Sequence, residues 1–203
     1  MSINLDDHLR ASLPGGFIQL TDGVTYYELA GTVDRPLVIL VHGLSVPSYI
    51  WEPAFKTLRR AGFCVLRYDL FGRGYSDRPR AAYTLDFFER QLAELLAALD
   101  LRQQLSVIGL SMGGPIAAAF AAHQPARVAR LGLIDPAGLL DWNPPSLRLL
   151  RLPVIGELLM ELNGEQFVVS SQASDFYNPE RFPAYGAPHP FMVLFLCIWP
   201  FPR

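Results

Sequence analysis

The chain predicts an α/β fold, a mostly parallel sheet with crossover helices. Two observations carry that reading. Apolar runs recur at 37–41, 63–70, 105–110 and 130–135, and helical patterns separate them at 48–61, 85–99 and 113–124. Strands that alternate with helices pair in parallel, because each crossover returns the chain to the same end of the sheet. The first of these runs, "LVILV", is also continuous and rich in β-branched residues rather than alternating. Such a run suits a strand covered on both faces.

Taken in order, "GFIQLTDGVTYYELA" at 16–30 reads as two strands joined at Asp22-Gly23, a hairpin turn signal. The run at 37–41 ends at His42-Gly43, and a helix follows over 48–61. The second buried run, "FCVLRYDL", breaks at Gly72 and Gly74. Thr84 is placed to cap the helix 85–99, whose Leu85, Phe88, Leu92, Leu95, Leu96 and Leu99 recur at helical spacing. The strand 105–110 leads into Ser111, an Ala-rich helix spans 113–124, and the last clear strand is 130–135. Beyond 136 the strand–helix rhythm is lost. A helical stretch is expected at 146–162, then a proline-rich end. The expected divisions are 1–140 for the core, 141–187 for a cap region and 188–203 for an irregular apolar tail.

With 203 residues and 51% hydrophobic content, the chain buries a continuous core. A net charge of −2 and a pI near 6.1 come without any basic run, which excludes nucleic acid as the expected partner. Two cysteines, Cys64 and Cys197, give no disulfide framework. The N-terminus lacks the pattern of a signal peptide, and the apolar segment 191–201 is too short to cross a bilayer. The expectation is a soluble, cytoplasmic protein. Its oligomeric state is not legible.

Gly109-Leu110-Ser111-Met112-Gly113 fits G-x-S-x-G. A serine on a tight strand-to-helix turn exposes its hydroxyl in a strained backbone. Glycines two positions to either side let strand and helix pass without Cβ clashes. The Met112 N–H, at the helix start, then points at a developing oxyanion. In "VHGLS" at 41–45, Gly43 frees the backbone to approach a ligand, and the Leu44 N–H is the second oxyanion donor. His42 reads as a structural histidine shaping the loop. In "YDLFGRGYSDRP", Asp69 and Asp77 are possible acids, with Asp77 expected to pair with Arg73 and hold the loop.

In their order and spacing, "VILVHG", "YDLFGRGYSDRP" and "GLSMGG" resemble the α/β-hydrolase superfamily, in its serine esterase and lipase group. The resemblance covers about 16–140. It implies Ser111 as nucleophile and the amides of Leu44 and Met112 as the oxyanion hole. A serine at 111, rather than an aspartate, argues against the family's dehalogenases and epoxide hydrolases. It favours an acyl-enzyme formed on a carboxylic ester or related small acyl substrate, with no cofactor or metal. In this family the order is nucleophile, acid, histidine. Asp135, ending "LGLID", is the candidate acid, with a structural role in the "DPAG" turn as its alternative. His123 lies too far along the helix that Ser111 opens, which leaves His189 as the candidate base. Residues 150–185 resemble the start of the family's helical cap, so a core lacking its last strands, with a partial cap, is expected. The resulting alternative is a catalytically incomplete fragment or pseudoenzyme that binds without turnover.

Overall fold

The computed structural model describes residue 10 and residues 12–138, within a compact unit spanning 1–140. The helix expected at 146–162, the divisions at 141–187 and 188–203, and His189 lie outside the described residues. Six strands of the described residues form one sheet: β1 (Gly16–Gln19), β2 (Val24–Ala30), β3 (Leu37–Val41), β4 (Cys64–Tyr68), β5 (Leu105–Leu110) and β6 (Val128–Ile134). Their order is β1-β2-β4-β3-β5-β6. The hairpin β1-β2 is antiparallel and joins β4 antiparallel, whereas β4, β3, β5 and β6 run parallel.

β3 and β4 are buried at every position. Alternate residues of a strand point to opposite faces. Val38, Leu40 and Val65 pack with Trp51 and Phe55 on one face, while Leu37, Ile39 and Val41 face the other way and are just as buried. The sheet is therefore covered on both sides at its centre. The helix expected over 48–61 is divided: a 3₁₀ turn, Ser48–Trp51, precedes α1 (Glu52–Arg60). The cause is Pro53, which sits in the first turn of α1 and has no N–H to continue a helix begun earlier.

The two later helices are α2 (Leu85–Ala98) and α3 (Gly113–His123), and α2 packs on α3. Thr84 caps α2 as its position predicts, accepting the Phe87 N–H at 3.2 Å. Among the described residues no helix is long and apolar enough to cross a membrane.

β4 carries a charge that its apolar surroundings hide. The Arg67 side chain, 5% exposed, donates to both Glu28 carboxylate oxygens at 2.8 Å and pairs with Glu52. Its guanidinium lies 4.5 Å from the centre of the Phe55 ring. A buried cation is tolerable only with such partners, and here they tie β2, β4 and α1 together.

Candidate active site

The site follows from the strand order. After β4 the chain crosses to the far side of β3 to form β5, so β3 lies between two strands that leave it in opposite directions. Crevices open at the carboxyl ends of strands where the order reverses in this way. Val41 pairs with Gly109, so the loop after β3 and the turn after β5 emerge side by side.

Ser111 occupies that turn with φ +50°, a left-handed conformation that a non-glycine residue adopts at a cost. The turn is held from three sides. Ser111 donates its N–H to the Ile134 carbonyl at 2.9 Å, and its own carbonyl accepts from Gly114 at 2.9 Å and Ala137 at 3.0 Å. The side chain is partly exposed. Met112, which follows in helical conformation, opens α3. The first amides of a helix have no intrahelical partner and face outward. The flanking glycines are required by packing: a Cβ on Gly109 would lie 2.1 Å from the Gly113 carbonyl oxygen, and one on Gly113 would lie 2.3 Å from that of Val41.

Gly43 is buried against the turn, where a Cβ would lie 3.2 Å from the Ser111 Cβ and 3.7 Å from its Oγ. The next residue, Leu44, is an apolar residue 43% exposed.

His42 is fully buried, and both ring nitrogens are engaged. Nδ1 lies 2.7 Å from the Gly43 carbonyl and Nε2 accepts the Leu70 N–H at 2.9 Å. That pattern assigns the proton to Nδ1. Burial, assisted by the charge of Arg73, pushes the imidazole down to about 3. It is a neutral brace, with no lone pair left to take a proton.

Asp69 is 1% exposed and also fully used. Its Oδ1 accepts the Ser48 N–H at 2.8 Å and its Oδ2 the Tyr75 N–H at 2.9 Å. Burial raises its carboxyl above the usual range, against the pull of the Ser48 and Tyr75 donors. Asp77 departs from expectation. Its carboxylate accepts the Val24 N–H at 2.8 Å and pairs with Arg10 at 3.7 Å, so it fastens the loop to the β1-β2 hairpin. Arg73 instead donates to the Phe71 carbonyl and lies over the rings of Tyr83 and Phe88. The hairpin and the glycine loop are 53 residues apart at this contact, so local spacing gave no signal for it.

Asp135 is exposed just past β6, with φ +44°. Its neighbours Ile134 and Ala137 make the hydrogen bonds to Ser111 described above, which sets the "DPAG" turn against the serine turn. His123 lies at the far end of α3, about 15 Å from its start by helical rise, where it meets the Glu89 carboxylate at 2.8 Å.

The chain is similar to proteins of related architecture. It is 29% identical over 173 residues to a non-heme chloroperoxidase of Streptomyces lividans, covering 82% of this chain and 62% of that one. It is 34% identical over 125 residues to Lipase 1 of Psychrobacter immobilis, covering 61% and 38%. The crystal structure of a hydrolase from Pseudomonas aeruginosa superposes with a TM-score of 0.62 at 28% identity, over 86% of this chain and 67% of that one. The matched stretch spans 38% to 62% of the length of such curated relatives. The family model for the alpha/beta hydrolase fold matches residues 36–155, which takes in β3 to β6 and both loops of the crevice. The chain belongs to the alpha/beta hydrolase fold family.

Proposed function

We propose that the protein is a serine hydrolase acting on a carboxylic ester or related acyl substrate through an acyl-enzyme. One observation carries the reading: Ser111 sits partly exposed at φ +50° on a strand-to-helix turn, with the Gly43 backbone against its side chain. In this reading the Ser111 Oγ attacks the acyl carbon and gives its proton to a general base. The carbonyl oxygen takes up the negative charge, and the amides of Leu44 and Met112 stabilise it. Collapse of the tetrahedral species expels the alcohol and leaves an ester on Ser111, which water then hydrolyses. Asp135 is the candidate acid, beside the serine turn. His189 is the candidate base, since His42 and His123 are committed to other bonds. The exposed Leu44 side chain suits a substrate with an apolar portion. The similarity to a protein named as a lipase supports the ester class.

A fluorophosphonate probe tests the reading. The serine oxygen bonds to phosphorus, the P–F bond breaks, and fluoride leaves as the proton passes to the base. Peptide mapping is expected to find the adduct on Ser111, and ester hydrolysis is expected to vanish in Ser111→Ala. Folded protein that stays unmodified at Ser111 defeats the proposal. The engagement of both described histidines favours a second reading, ligand binding without turnover. Hydrolysis that depends on Ser111 rules that second reading out.

A further inference from the structure

Resting on the reading of Leu44 as an oxyanion donor, we propose that Asp69 is a positioning residue that fixes the Leu44 amide. Two consecutive residues after β4 grip the two ends of segment 42–48. Leu70 donates to His42 at the start, and Asp69 accepts from Ser48 at the end. Leu44 lies between these anchors. The Ser48 hydroxyl also favours the charged form of the Asp69 carboxylate. Asp69 is held in turn. Its carbonyl accepts from Ser76 Oγ at 2.6 Å and from Gln91 Nε2 at 3.1 Å. The glycine loop wraps its carboxylate so closely that a Cβ on Gly74 would lie 2.0 Å from Oδ2.

The chemistry of the side chain matters here. Among the described residues Asp69 has no ion-pair partner, so its burial is offset by N–H and O–H donors alone. Both oxygens must accept. An asparagine of the same shape accepts through one oxygen and turns an NH₂ toward a backbone N–H. One of the two loops then loses its anchor. Asp69 touches none of the reacting atoms, so its effect reaches the chemistry only through the placement of the Leu44 amide.

The test compares fluorophosphonate inactivation of wild type, Asp69→Asn and Ser48→Ala, separating the maximal rate from the half-saturating concentration. Removing an oxyanion donor outright costs about 10²–10³ in rate, so a displaced one is expected to cost about tenfold in Asp69→Asn. The half-saturating concentration is expected to hold within about twofold, because the substitution leaves the residues around Ser111 in place. Ser48→Ala keeps the backbone N–H and is expected to lose about threefold, a fraction of the same effect. A purely structural role lowers the melting temperature and leaves the maximal rate of folded protein unchanged. An Asp69→Asn protein that melts cooperatively and reacts at the wild-type maximal rate overturns the inference. If Asp69→Asn does not fold, a wild-type maximal rate in Ser48→Ala overturns it instead. Wild type that fails to react at Ser111 defeats the proposed function, and this inference falls with it. Equal rates among reactive proteins defeat the inference alone.

Discussion

His42 sits at the crevice as the nearest histidine in the sequence to the glycine loop, and it does no proton transfer. A base needs a free lone pair near neutral pH, and the lone pair on Nε2 belongs to the Leu70 amide. The linkage has a definite sign. The folded-state value, about 3, lies below the unfolded value near 6.5, so the unfolded chain binds the extra proton between them. The stability this histidine contributes is complete above about pH 6.5 and declines as the pH falls toward 3. Relative to His42→Gln, whose side chain does not titrate, the wild-type advantage is expected to shrink by up to about 1.4 kcal/mol per pH unit across that window. Denaturant titrations at several pH values measure it. A constant gap would show that the imidazole charges in the native protein. The motif around Ser111 and the glycine at 43 were legible because a tight turn demands small residues locally. The partner of His42 was not, since it lies 28 residues away in the loop after β4.

The second helix shows how an element far from the crevice bears on it. α2 begins at a cap visible in the sequence, and it carries Gln91, whose side chain donates to the Asp69 carbonyl and to Thr25 and accepts from Phe71. Replacing the cap in Thr84→Ala is expected to cost about 1 kcal/mol, read as a lower denaturant midpoint with an unchanged slope. No midpoint change would show that packing of Phe87, Phe88 and Leu92 alone sets the helix start. Elements of this kind were legible because their apolar spacing is a property of one segment. The division of the first predicted helix follows from Pro53, whose missing N–H breaks a helical pattern that apolar spacing alone would continue. The charge of Arg67 inside an apolar run could not be explained from the run alone. Its two carboxylates come from β2 and α1.

At the scale of the molecule, periodicity predicted a parallel sheet but not its order; the reversal at β3 rests on pairings between segments far apart in the chain. Among the described residues β6 is the outermost strand on its side of the sheet, and its Leu131, Leu133 and Ile134 are 42%, 46% and 47% exposed. An edge strand with apolar side chains is a template for association. Leu131→Lys is therefore expected to reduce concentration-dependent self-association in sedimentation velocity, while changing stability by about 0.5 kcal/mol or less. Unchanged association would assign the contact to another surface.

The pairing of β4 with β3, Leu37 opposite Cys64 and Leu40 opposite Arg67, also sets where residues 69 and 70 stand. A slip of one position would carry both about 3.3 Å along the strand and detach the two ends of the neighbouring loop together. The ladder thus works as a ruler: the placement of the loop beside Ser111 is calibrated by the alignment of two strands that do not carry that serine.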